Sequence, residues 1–194
     1  MALKETIISE SLKLFSLKGF ISTSLHDILS AANTSKGGFY NHFSSKEALF
    51  YEFLEEGRTI WRDRNLYGLV EADQHLDKVL LLLRNYKERY LRDADKFPGG
   101  CIFIMFAVEL GDQRPHLSRE VQKGFVGLKA MIKRMLDQAK EAGELKEAVN
   151  TEEMSEIIFN SMLGASVGFS TDKSVEKLDR AINALIDFLE TLRK

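Results

Sequence analysis

Apolar residues recur at three- and four-residue spacing along most of the chain, the period of helices with one buried face. Leu3, Ile7, Ile8, Leu12, Phe15 and Leu17 predict a first helix over residues 3–18, with Gly19 as its C-terminal cap. Three short pieces follow. Ser24 stands where an N-cap belongs, with Asp27 three residues on, and opens a helix over 25–32. Asn33-Thr34-Ser35 reads as a tight turn, because Asn tolerates the left-handed conformation. A third helix is predicted over 36–43, and Ser44 with Glu47 forms a capping box that opens a fourth, reaching residue 66.

Longer segments come next. Leu76, Val79, Leu80, Leu83, Tyr86, Lys87 and Tyr90 predict a helix over 74–96, broken by Phe97-Pro98-Gly99-Gly100. A very apolar helix is expected over 101–110, stopped by the stretch 111–115. Leu117, Val121, Phe125, Leu128, Ile132, Met135 and Ala139 place another over 117–142. Asn150 with Glu153 opens the eighth, to about residue 170, and the ninth covers 174–192 through Leu178, Ile182, Leu185, Ile186 and Leu189. No stretch alternates with period two for long enough to be a strand. The expected fold class is therefore all-α: an N-terminal three-helix domain containing a helix-turn-helix, residues 1–46, and a larger helical domain, residues 47–194, about nine helices in all.

Composition adds constraints rather than a function. The 194 residues are 44% hydrophobic and 29% charged, as in an ordinary globular protein. With only two prolines, Pro98 and Pro115, long helices are unobstructed. No apolar run is long enough to span a membrane, and residues 1–10 mix charged with apolar side chains, so neither a membrane partner nor a signal peptide is expected. The single cysteine, Cys101, excludes an internal disulfide and fits a cytoplasmic location. The net charge of −2 does not favour nucleic acid, but residues 1–46 carry five lysines against three acidic residues, a weak local bias of the right sign.

The informative stretch is TSLHDILSAANTSKGGFYNHFSSKEAL, residues 23–49. Two short helices joined by a tight turn, after a longer helix, fit a helix-turn-helix, whose second helix enters the major groove. Ser35 and Lys36 lie at the start of that second helix, where exposed amides and a cation suit phosphate. Gly37 and Gly38 cost about 1 kcal/mol each inside a helix, which suggests a need for close approach to DNA; a frayed short helix is the alternative. Phe43 is expected in the core.

The stretch LFSLKGFISTSLHDI, the A-A-x-x-S turn, the Y-N-H-F box and the following K-E-A-L resemble the TetR family of one-component repressors, closely over residues 3–54. The resemblance implies that Tyr40 and His42 bond phosphates, that Asn41 reaches a base or phosphate, and that Lys46 acts as a backbone clamp. Thr23 and Ser24 are expected to cap the second helix, with hydroxyls that also touch phosphate. Alternatives stand beside these roles: a packed Tyr40, a structural His42, a solvated Lys46. The turn departs from the family's usual Ala-Gly-Val; here it is Ala32-Asn33-Thr34, so the hydroxyl of Thr34 must find a partner or face DNA.

In the larger domain Trp61, Tyr86, Tyr90, Cys101, Met105, Phe106, Phe125, Phe159 and Met162 are candidates to line a pocket for an apolar or aromatic molecule, although for each alone an ordinary core role is the stronger reading. Glu109, inside an apolar stretch, is expected to pair with an arginine, with contact to a ligand as the alternative. Cys101 follows Gly99-Gly100 at a helix start; its position resembles a branch of the family in which a cysteine senses oxidants or electrophiles, against the default of an inert buried thiol. Small residues Gly164, Ala165 and Gly168, with Ile182, Leu185 and Leu189 of the last helix, are the candidate dimer interface; a close crossing within one chain is the alternative.

Together these readings point to a ligand-responsive repressor that binds a palindromic operator in double-stranded DNA as a homodimer and is released by a small apolar, aromatic or electrophilic inducer, with no cofactor and no metal. A helical enzyme is the weaker reading: the sequence has no glycine-rich phosphate loop, no metal-ligand spacing and no nucleophile–histidine signature. A DNA-binding dimer that answers to no inducer is a further alternative.

Overall fold

The computed structural model describes residues 2–93 and 95–194. Among them are nine α-helices and no strand, only an isolated bridge between Leu145 and Arg193. The helices are α1 (Leu3–Lys18), α2 (Leu25–Ala31), α3 (Lys36–Tyr40), α4 (Lys46–Asn65), α5 (His75–Asn85), α6 (Ile102–Leu110), α7 (Pro115–Glu141), α8 (Thr151–Asp172) and α9 (Val175–Glu190). The fold is all-α, as expected.

Local chemistry explains most of the boundaries. Gly19, with φ of 80°, ends α1. Ser24 and Asp27 exchange hydrogen bonds across the first turn of α2. Asn33 takes φ of 47°; its N–H donates to Ser30 and that of Thr34 to Leu29, the paired bonds of a Schellman turn. Two expectations need correction. The cap of α4 is Ser45, whose hydroxyl accepts from the Ala48 N–H, and not Ser44; Glu47 lies instead against His116 and Arg114. The long helix expected over 74–96 is also not one α-helix. It leaves α geometry after Asn85 and continues as a π-helical segment, Tyr86–Leu91. Hydrophobic periodicity does not separate bonding four residues back from bonding five back, so the sequence pattern was blind to this change.

The chain divides into two compact units, and the division is not at residue 46. One unit joins Met1–Trp61 to Asp93–Ser118. Its centre is aromatic: Phe15 lies 4.6 Å from Phe53, Phe50 lies 5.0 Å from Phe53, and Phe106 of α6 lies 5.5 Å from both Phe50 and Phe53, measured between ring centroids. Because Phe50 and Phe53 sit on α4 and Phe106 on α6, the helix-turn-helix shares its core with residues far outside the expected domain. The other unit joins Arg62–Arg92 to Arg119–Lys194. There α9 packs along α8, α5 and the π-helical segment, burying Leu178, Ile182, Leu185, Ile186 and Leu189. In this second unit Tyr86 and Tyr90 stack at 5.8 Å, and Lys87 is buried against Asn183 and Asp179.

Candidate nucleic-acid interface

The recognition element is only five residues long, so its orientation comes from its anchors. Phe39 is wholly buried and stacks near Phe43 at 5.4 Å; Ser35 caps the helix by accepting from the Gly38 N–H. With Phe39 inward, Lys36, Gly37, Tyr40, Asn41 and His42 face outward. Tyr40 is 54% exposed and packs edge-on against the Phe39 ring, which fixes its ring plane and leaves its hydroxyl outside. Ser24 and Ser35 are also exposed, while Thr34 and Gly38 are half-buried.

The two glycines differ. A Cβ on Gly37 would meet only Ser35 Oγ, at an ordinary 3.7 Å, so its surface is open to an approaching duplex. A Cβ on Gly38 would collide with the hydroxyl of Thr34. Gly38 therefore has a local packing reason in the Thr34 side chain of the turn behind it, which Gly37 lacks.

Two expected phosphate contacts are engaged inside the unit instead. Thr23 is 0% exposed, and its hydroxyl donates to the Gly19 carbonyl at 2.6 Å. The Lys46 ammonium donates to the carbonyls of Phe20 at 2.8 Å and Thr23 at 2.9 Å and sits 4.3 Å from the Phe20 ring centroid. Burial pulls the Lys46 pKa below its ordinary value, opposed by the charge of Glu109. Lys46 thus ties α4 to the turn between α1 and α2 rather than standing out toward a phosphate. Glu109 is corrected as well. Among the described residues its carboxylate meets no arginine; it accepts from the Phe20 N–H at 2.7 Å and the Ile21 N–H at 2.8 Å. Asp27 is held below the usual carboxylate range mainly by the Ser24 hydroxyl and N–H.

The nine pocket candidates are divided between the two units. Trp61, Cys101, Met105 and Phe106 fall in the first unit, where the buried Phe106 is packed against three phenylalanine rings. Tyr86, Tyr90 and Met162 are buried together in the second unit, the Tyr86 hydroxyl donating to the Met162 carbonyl, and Phe125 meets Phe159 edge-on at 5.6 Å. Cys101 is the buried N-cap residue of α6. The expected dimer residues split too. Gly164 and Gly168 have open space where a Cβ would stand and Ala165 is half-buried, but Ile182, Leu185 and Leu189 are buried within the protomer against α8 and α5. The outer face of the pair carries Val167 and Phe188 instead. The sequence did not separate the two sets because both faces of α9 carry apolar residues, and periodicity does not say which face the chain itself covers.

Among the described residues no helix is long and apolar enough to cross a membrane, and no cluster of side chains could hold a metal ion. Residues 7–53 match the family described as bacterial regulatory proteins, tetR family, and residues 76–185 match the tetracyclin repressor-like C-terminal domain. The chain is 22% identical over 190 residues to the HTH-type transcriptional repressor NemR of Escherichia coli (strain K12), covering 97% of this chain and 94% of that protein. A TetR transcriptional regulator from Chloroflexus aurantiacus J-10-FL has the same fold, with a TM-score of 0.90 and 24% identity over 98% of this chain and 96% of its own. So does a cysteine mutant of the TetR family transcriptional regulator CifR complexed with 26bp double-strand operator DNA, with a TM-score of 0.76 and 23% identity over 94% of each chain. An outward-facing helix-turn-helix at residues 25–40 and matches that together span most of the sequence lead to one assignment: this chain belongs to the tetR family of bacterial transcriptional regulators, DNA-binding proteins that are not enzymes.

Proposed function

We propose that the protein is a ligand-responsive repressor that binds a palindromic operator as a homodimer and is released by a small apolar or aromatic inducer. The observation that carries this reading is the outward set Lys36, Gly37, Tyr40, Asn41 and His42 on a helix anchored by buried Phe39 and Phe43. Tyr40, His42 and Lys36 bond phosphates, Ser24 and Ser35 add hydroxyls beside them, and the bare backbone at Gly37 lets the helix approach the groove. That CifR, which shares this fold, is complexed with 26bp double-strand operator DNA supports the reading that this fold binds an operator.

A palindrome requires a two-fold assembly. The exposed face of α8 and α9, with Gly164, Val167, Gly168 and Phe188, supplies apolar surface and close-approach positions for a second copy. The inducer binds through bulky apolar side chains, for which Tyr86, Tyr90, Phe125, Phe159 and Met162 of the second unit are the available set. Burial of Cys101 favours a packing role over attack on an electrophile. Inducer binding acts by stabilising a state in which the two recognition helices no longer match successive grooves.

Selection of duplexes from a random pool with the purified chain tests the proposal. Recovery of a palindrome, bound with a steep salt dependence and weakened about tenfold by Tyr40→Phe combined with His42→Ala, is the expected result. A pool that shows no enriched sequence refutes it.

A further inference from the structure

The turn between α1 and α2 is gripped from two sides. On one, both carboxylate oxygens of Glu109, near the end of α6, accept the consecutive N–H groups of Phe20 and Ile21. On the other, Lys46 at the start of α4 donates to the carbonyls of Phe20 and Thr23. Thr23 closes the turn on itself through the Gly19 carbonyl, and the next residue, Ser24, is the N-cap of α2. The position of α2, and of α3 beyond the Schellman turn, thus starts from a segment whose polar groups are held by other helices.

Two glycines permit this grip. A Cβ on Gly19 would lie 2.5 Å from the Glu109 carboxylate, and a Cβ on Gly99, just before α6, would fall on the Ser16 carbonyl of α1. Gly99 N–H also donates to the Ser16 hydroxyl at 3.3 Å. The segment carrying α6 therefore touches the end of α1 at both of its ends, with Phe106 against Phe15 between them. An ordinary surface carboxylate would need neither glycine. The charge of Glu109 acts on Lys46 across the turn, but its hydrogen bonds go to backbone: its two oxygens are matched to the Phe20 and Ile21 N–H groups between α1 and α2.

Resting on the operator-binding role proposed above, we infer that Glu109 is a positioning residue for DNA recognition: it locks the α1–α2 turn to α6 and so sets the placement of the recognition helix. Any displacement of α6 along its axis drags or releases the amides of Phe20 and Ile21, and operator affinity follows. Lys46 is the opposing half of the same grip.

The test uses the full chain and its selected operator duplex, measured about 20 °C below the melting point of each variant so that loss of folded protein does not enter. Glu109→Ala is expected to weaken operator binding by about tenfold or more, with dimer mass unchanged and amide exchange accelerated at Phe20 and Ile21. Glu109→Gln keeps one acceptor and is expected to fall between the parent and Glu109→Ala. Operator affinity within about twofold of the parent, despite faster exchange at these amides, overturns the inference and leaves Glu109 a local cap. If Glu109→Ala does not fold, Glu109→Gln decides by the same two readouts. Failure of the parent chain to select any duplex is a separate result, refuting the operator-binding role and not the grip.

Discussion

Single atoms decide what the neighbouring glycines of α3 are for. Gly37 looks into open space, whereas a methyl on Gly38 meets the Thr34 hydroxyl. Gly37→Ala should therefore raise stability by about 0.5–1 kcal/mol, because alanine is the better helix former, while weakening operator binding at the face where the duplex approaches. Gly38→Ala should instead cost about 1–3 kcal/mol, and much of that cost should disappear in a Thr34→Ala background, where the clashing oxygen is gone. Urea denaturation of the parent, the three single variants and the Thr34→Ala/Gly38→Ala double variant reads both stability effects; equal behaviour of the two glycines would remove the distinction. Both glycines were visible in the sequence as an anomaly, but their separate causes were not, since the turn that brings Thr34 over Gly38 exists only after folding.

At the scale of elements, both units hold a helix or turn by a carboxylate from far along the chain. In the first unit it is Glu109 on the α1–α2 turn. In the second it is Glu144, between α7 and α8, which accepts from the His75 N–H at 3.0 Å and the Leu76 N–H at 2.8 Å and so caps α5, where Gln74 makes no side-chain cap. Glu144→Ala should destabilise the protein by about 1–2 kcal/mol, and Glu144→Gln by about half as much, with faster amide exchange at His75 and Leu76. Unchanged exchange there would mean that another group caps α5. Helices that carry their own caps, such as α2 with Ser24 and α8 with Asn150, were legible from short-range pattern. The caps supplied from 68 or more residues away were not, because sequence spacing holds no information about which distant side chain arrives.

For the whole molecule, the homodimer proposed above would use the exposed rather than the buried apolar face of the α8–α9 pair. Ile182 is 1% exposed and Phe188 is 44% exposed, so they answer to different forces. Phe188→Glu should convert a dimer to a monomer by light scattering and abolish tight operator binding, with little loss of protomer stability, because the charge is introduced on a solvent-facing side. Ile182→Ala should do the reverse, costing about 2–4 kcal/mol of protomer stability while the folded protein still dimerises. A Phe188→Glu protein that remains dimeric would place the interface elsewhere.

The order of helices, their self-made caps and turns, and the helix-turn-helix within residues 25–40 were determined by the sequence alone, because each depends on residues within about one helical turn of one another. Tertiary structure decided the rest: that α6 belongs to the same compact unit as the helix-turn-helix, that Lys46 and Thr23 turn inward, and that Glu109 meets two amides 88 and 89 positions away. These are properties of chain segments brought side by side by the burial of Phe15, Phe50, Phe53 and Phe106. Hydrophobic burial is non-directional: it draws the helices together without prescribing in the sequence which polar groups will then face one another.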